Sequence, residues 1–198
     1  MKSANKKDPV VTLKNFKHAE FASQETTCFE AIVCVDGKVF CSASDDGHGG
    51  EVDLHPISGS RTDLSKMILE VGRRYNPNCV AMYDGKFKFE AGDFDTWKER
   101  YAKKLRESKG VTASEILIHL VNEQVTRQLY AKDLKKLMVK KVVYLDGDNI
   151  YNTKNAGNAA HRDMWIPQVK EKYPAAIVLN EMAFDDALTL FISKVEAA

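Results

Sequence analysis

The sequence predicts an α+β protein with a mainly antiparallel sheet built from hairpins and packed with about four to five helices. Three Asp-Gly pairs, at Asp36, Asp84 and Asp146, each stand between short apolar segments and signal the tight turn of a β-hairpin. Amphipathic segments separate these hairpins. Strands and helices do not alternate regularly, as they would in a parallel sheet.

The first hairpin is the clearest element. Residues 27–35 are rich in β-branched and aromatic side chains, Asp36-Gly37 signals a two-residue type I′ turn, and residues 38–44 return. Residues 10–21 supply a further, more polar strand beside it. Apolar residues fall on both faces of this ribbon, so we expect it to lie in the centre of its sheet or to be covered by other elements on both faces.

The hairpin's register follows from its turn. A tight turn places Val33 opposite Phe40 and Ile32 opposite Cys41. The first pair would then share one face of the ribbon and the second pair the other.

The remaining elements follow from helix caps, turn pairs and apolar spacing. After an irregular region through residue 60, a helix is opened by Thr62-Asp63-Leu64-Ser65 and ends before Asn76-Pro77, and it is followed by a short hairpin (80–83 and 87–89) and a charged helix (95–108). The capping box Thr112-Ala113-Ser114-Glu115 then begins a long helix, and a third hairpin follows around Asp146-Gly147-Asp148. The last elements are a helix over 164–173, a strand over 176–179 and a C-terminal helix with the apolar stripe Phe184, Leu188, Phe191, Ile192 and Val195. We predict one domain, 1–198, with a candidate subdomain boundary near residue 110.

Composition narrows the functional classes. The chain carries 29 Lys and Arg against 28 Asp and Glu, so a nucleic-acid partner is not expected. No apolar run is long enough for a membrane span, and the basic N-terminus lacks the apolar core of a secretory signal. We therefore expect a cytoplasmic protein without a membrane partner. Its four cysteines are expected to be reduced thiols, and a homo-oligomer is left open.

The candidate site is the glycine-rich loop after the first hairpin. Three glycines in four positions allow positive φ and bring backbone amides close to a ligand, and a histidine lies between them. The candidate ligand-binding residues are Asp45, Asp46, Gly47, His48, Gly49, Gly50 and, downstream, His55. Three interpretations stay open: a purely structural strand exit, an anion or nucleotide site, and a metal or acid–base site that also uses Asp53.

Two segments resemble a family of uncharacterised bacteriophage and prophage proteins. They are residues 28–38, which end in Asp36-Gly37-Lys38, and residues 44–50, similar to the family's Asn-Asp-Gly-His-Gly-Gly loop. Asp45 stands where Asn is more usual, which adds a negative charge. The resemblance implies a phage-related origin and supplies no activity.

The leading hypothesis is a phage-type accessory protein that binds a small anionic ligand, most simply a nucleotide or nucleotide-derived signal, through the glycine loop. By sequestering such a signal, the protein would act as an antagonist of host defence. This part of the hypothesis follows from the resemblance to phage proteins alone. The alternatives are a metal-assisted phosphodiester hydrolase, using Asp46, His48 and His55, and a protein–protein inhibitor of a host factor. No motif fixes a reaction class or a cofactor, so no catalytic residue is assigned.

Overall fold

The computed structural model describes residues 7–57, 63–81 and 103–196. Its contacts group the chain into two compact units, residues 1–125 and 126–198. The named strands pair antiparallel in a four-stranded and a three-stranded sheet, accompanied by helices, which confirms the α+β class. The division between the units falls inside a helix, whereas the sequence suggested a boundary near residue 110. The single-domain assignment stays a prediction.

The first unit contains a four-stranded sheet in sequence order. Its strands are β1 (Val11–His18), β2 (Phe29–Val35), β3 (Lys38–Asp45) and β4 (Asp53–His55). A short 3-10 turn, Glu20–Ala22, lies between β1 and β2. The strand beside the hairpin is confirmed as β1, and β4 was missed because a three-residue strand has too few residues to show an alternating pattern.

The predicted type I′ turn is confirmed by the backbone. Asp36 has φ 50° and Gly37 has φ 79°, the two positive values that this turn requires. The turn also fixes the entry to β1, because the Asp36 amide donates to the Val10 carbonyl at 2.8 Å and the Val10 amide donates to Asp36 Oδ1 at 3.1 Å.

The predicted hairpin register is wrong. Val33 lies opposite Cys41 and Cys34 lies opposite Val39, so Phe40 is an extra residue on β3. The bulge shifts every partner beyond it by one and turns Cys41, rather than Phe40, to the face of Val33. Val33 and Cys41 are both fully buried.

One face of this sheet forms the core of the first unit. Residues that lie opposite each other on neighbouring strands share a face, and this face is apolar. Its buried residues are Val11, Leu13, Phe29, Ala31, Val33, Val35, Cys41 and Ala43. The alternate positions Lys14, Glu30 and His55 are exposed, so the other face includes solvated polar side chains.

Helix α1 (Leu64–Tyr75) begins and ends as predicted. Asp63 caps it by accepting the Lys66 amide at 3.3 Å, and the helix stops before Asn76. Asn76 is fully buried, and its side-chain amide donates to the carbonyls of Leu105 and Ser108 at 2.7 and 2.9 Å. These two hydrogen bonds satisfy the buried amide of Asn76 and hold the chain at the end of α1 against residues 105–108.

Helix α2 (Ala113–Lys140) is the longest of the described elements and contains the division between the two units. The predicted capping box is present: Glu115 accepts from the Thr112 amide at 2.7 Å, and the Thr112 hydroxyl accepts from the Glu115 amide at 3.1 Å. Residues 132–138 belong to this helix. The hairpin predicted at 80–89 lies almost wholly outside the described residues, as does most of the predicted helix at 95–108, of which residues 103–107 are helical.

The second unit contains a three-stranded sheet in the order β6-β5-β7. Its elements are β5 (Val143–Asp146), β6 (Asn149–Asn152), α3 (Ala159–Asp163), α4 (Trp165–Lys172), β7 (Ile177–Val178), a 3-10 turn (Leu179–Glu181) and α5 (Phe184–Val195). The third predicted hairpin is confirmed, with Asp146 opposite Asn149. Alternate residues of β5 enter two apolar clusters, Leu145 with Leu188 and Tyr144 with Val169. Within the described residues, no helix has the length and apolarity needed to cross a bilayer.

Candidate functional site

The glycine-rich loop connects β3 to β4 and interlocks with the segment between β1 and β2. We call these two segments, residues 19–28 and 45–51, the platform. The interlocking decides which groups of the loop remain open to a ligand.

The carbonyl oxygen of Gly47 holds the two segments together. It accepts hydrogen bonds from three consecutive amides, those of Gln24 (3.0 Å), Glu25 (2.9 Å) and Thr26 (3.3 Å). Three amides that converge in this way form a concavity of the kind that binds anions, and here the chain's own carbonyl fills it. Gly47 has φ 86°, and a Cβ at this position would collide with the carbonyl of Ala22. Glycine is therefore required by the fold.

The carboxylate of Asp45 is the polar centre of the platform. The residue is only 9% exposed, and its Oδ1 accepts from the Thr26 hydroxyl at 2.6 Å and from the Gly47 amide at 2.7 Å. A buried carboxylate needs such partners because it has lost its hydration. Asp45 therefore holds the loop in place and is not offered to a ligand.

The next two amides of the loop are also engaged. The His48 amide donates to Asp46 Oδ1 at 3.0 Å, and the Gly49 amide donates to the Thr26 hydroxyl at 3.3 Å. With the Gly47 amide, three of the amides expected to grip an anion donate to acceptors within the chain. In contrast to these amides, the His48 imidazole, which was also expected to bind an anion, is exposed and remains accessible to a ligand.

The candidate metal ligands are not brought together. Asp53 and His55 lie on β4 opposite Ser44 and Ser42, whereas His48 lies in the loop. Across 7–57, 63–81 and 103–196, no group of three or more His, Cys, Asp or Glu residues is arranged to hold a metal ion. Since all the proposed ligands are described, the arrangement gives the hydrolase alternative no support.

The most exposed apolar residue of the platform was not among the predicted site residues. Phe21, in the 3-10 turn, is 92% exposed. Its turn is fixed at both ends, because the Ala22 amide donates to the Ala19 carbonyl and the Ala19 amide donates to the Cys28 carbonyl, both at 3.1 Å. A single Phe among polar residues carries no sequence pattern that distinguishes it from a buried one.

The platform is acidic. Its exposed carboxylates are Glu20, Glu25, Asp46 and Glu51, and residues 19–28 and 45–51 include no Lys or Arg. The Glu25 side chain lies against Gly49, whose φ is 87°. An acidic surface disfavours a phosphate ligand and favours a partner that carries positive charge.

Two of the buried cysteines, Cys41 and Cys79, are not activated nucleophiles. All four are free thiols; Cys34, Cys41 and Cys79 are buried and Cys28 is half-buried. Burial raises the pKa of Cys41 to about 12 and also raises the pKa of Cys79. Thiols with raised pKa values remain protonated near neutral pH and are poor nucleophiles.

A cluster of five lysines lies in the second unit. Its members are Lys132, Lys135, Lys136 and Lys140 at the end of α2, and Lys141 just after it.

Comparison with known protein families, with curated proteins and with solved structures finds no match to this chain. The resemblance to phage proteins therefore stays a prediction, and the site's chemistry carries the functional argument.

Proposed function

We propose that this chain is a protein-binding module whose recognition surface is the platform and whose anchor is Phe21. The exposure of Phe21 carries the proposal: 92% of the residue is in contact with solvent on a backbone that is fixed by hydrogen bonds. Removing a phenylalanine side chain from water is worth about 1.5–3 kcal/mol, which this fold leaves unused. Binding sites for proteins concentrate such energy in one or two aromatic anchors.

The rigidity of the platform supports the same conclusion. The two segments are joined through Gly47, Asp45 and Thr26, so the turn that carries Phe21 is already ordered before a partner arrives. An ordered surface loses less conformational entropy on binding than a mobile loop does. The hydrogen bonds that engage the loop amides therefore weaken the case for an anion site and strengthen the case for a binding surface.

The leading hypothesis from the sequence, nucleotide binding, stays a prediction. It relied on open amides, and those of Gly47, His48 and Gly49 donate within the chain. Of its alternatives, the protein–protein inhibitor is the one that the geometry supports best. If the phage resemblance holds, the partner would be a protein of the infected host.

Affinity capture with a matched control tests this function. The full chain, Phe21→Ala and Val39→Ala would each be immobilised and exposed to the same cell lysate, with bound proteins quantified by mass spectrometry. Val39 is 56% exposed on β3, outside the platform, and controls for loss of an exposed apolar group. We expect a partner that is retained by the wild type and by Val39→Ala and reduced about 30-fold or more by Phe21→Ala. An unchanged set of proteins on Phe21→Ala would refute the proposal.

A further inference from the structure

The exposed face of the last turns of α2 is basic. Lys132, Lys136, Val139 and Lys140 are all exposed, while Leu134 between them is fully buried. Residues three and four apart lie on the same side of a helix, so these side chains form one continuous strip. We call them the basic strip.

The charges of the basic strip are not neutralised within the chain. None of Lys132, Lys136 and Lys140 forms an ion pair with another described residue. Asp133 is the single carboxylate among residues 132–140, and it is also exposed. Val139 is 57% exposed and lies among the lysines. The strip therefore combines an exposed apolar side chain with positive charge.

The platform has the opposite character. The carboxylates of Glu20, Glu25, Asp46 and Glu51 likewise form no ion pair within the part of the chain that is described. Phe21 is the apolar group among them. The chain as a whole has a net charge of +1, so its positive and negative charges are nearly balanced but partly segregated into two surfaces.

We propose that the basic strip of one copy of this chain docks on the platform of a second copy. Opposite charges on the two surfaces would attract the copies, and Phe21 against Val139 would supply apolar burial at the centre. This inference rests on the proposed function, since it names an occupant for the same surface. The two surfaces differ, so each contact is head-to-tail, and a pair joined by one such contact has one platform and one strip free for further copies.

Sedimentation velocity at rising protein concentration tests the inference. At low ionic strength we expect the average mass to increase with protein concentration. We expect about 1 M salt to reverse this increase, because salt then screens charges that are more than a few ångströms apart. Phe21→Ala is expected to weaken association about 30-fold, and Lys136→Glu about tenfold. Lys14→Glu, an exposed lysine of β1, supplies the matched charge control and should associate as the wild type does.

Mixing two variants tests the head-to-tail arrangement. Phe21→Ala retains an intact strip and Lys136→Glu retains an intact platform, so their mixture should form a dimer at concentrations where neither variant associates alone, and growth beyond the dimer should be weakened about tenfold or more. A wild type that stays monomeric at every concentration, or Phe21→Ala that associates as the wild type does, would overturn the inference. A monomeric wild type that still captures a partner through Phe21 would overturn the inference and leave the proposed function standing. A wild type that neither self-associates nor captures a partner through Phe21 would reject both the inference and the proposed function.

Discussion

The hydroxyl of Thr26 donates to the buried carboxylate of Asp45 across a distance of 2.6 Å. The same hydroxyl oxygen accepts from the Gly49 amide, so one side chain of the first platform segment serves both ends of the glycine loop. This relationship makes the loop part of the fold, and it leads to predictions about stability that differ from those for a free ligand-binding loop.

Replacing Thr26 by Val removes the hydroxyl while keeping a similar shape. Asp45 Oδ1 then loses one of its two hydrogen bonds in a buried position, which costs about 1–3 kcal/mol of the free energy of unfolding. Urea denaturation should show this loss for Thr26→Val and a much smaller one for Thr26→Ser. Thr12→Val, at an exposed position of β1, should change the unfolding free energy by less than about 0.5 kcal/mol. Equal stability of Thr26→Val and the wild type would contradict the role assigned to this hydroxyl.

Two glycines of the same loop should respond differently to alanine. Gly47 has positive φ and no room for a Cβ beside the Ala22 carbonyl, so Gly47→Ala should lower the free energy of unfolding by about 2–5 kcal/mol. At Gly50 an added Cβ meets open space, so Gly50→Ala should stay within about 0.5 kcal/mol of the wild type. Thermal and urea unfolding of both variants would check this, and a similar cost at the two positions would show that the interlocking is absent in solution.

The carboxyl of Asp36 should titrate at unusually low pH. Its hydrogen bonds with the Arg74 guanidinium and with the Val10 amide lower its pKa from the ordinary value of 3.8 to about 2. A lowered pKa in the folded state stabilises the protein above the pH at which the unfolded carboxyl titrates. That contribution should therefore be lost as pH falls from about 4 to about 2.

The Asp36 titration can be followed directly by NMR of its side-chain carboxyl carbon. We expect a midpoint near 2 in the wild type, and a return toward the ordinary value in Arg74→Ala. In urea unfolding, the stability difference between the wild type and Asp36→Asn should shrink over the same pH range. A wild-type midpoint near 3.8 would show that Arg74 does not hold the carboxylate.

Calorimetry with a panel of nucleotides separates the protein-binding proposal from the nucleotide hypothesis. Since the loop amides donate within the chain and the platform carries four exposed carboxylates, we expect no measurable heat. Micromolar binding that disappears in His48→Ala and persists in Phe21→Ala would instead favour the glycine loop as a nucleotide site. Lys14→Ala serves as a control for nonspecific attraction of phosphate.

Local signals in the sequence were sufficient for several elements. The Asp36-Gly37 turn, the Asp63 cap of α1 and the Thr112–Glu115 capping box each depend on residues within a few positions of one another. Such contacts form through the same hydrogen bonds wherever the local sequence occurs, so the pattern predicts the structure.

The details that decide the candidate site are non-local. The extra residue Phe40, the pairing of β4 and the exposure of Phe21 follow from how distant segments pack, and no pattern within a short window encodes them. The glycine loop follows the first hairpin as predicted and its amides were expected to be open, but the amide of Gly49 donates to the hydroxyl of Thr26, 23 residues earlier.

The sequence by itself determined that this is an α+β protein, where several of its described helices and hairpins begin and end, and that a glycine-rich loop follows the first hairpin. Only the tertiary structure decided what the glycines are for: they let the loop approach residues 22–26 closely enough to exchange hydrogen bonds. The physical reason is that a buried polar group must find a partner, and which partner it finds depends on the packing of the whole unit.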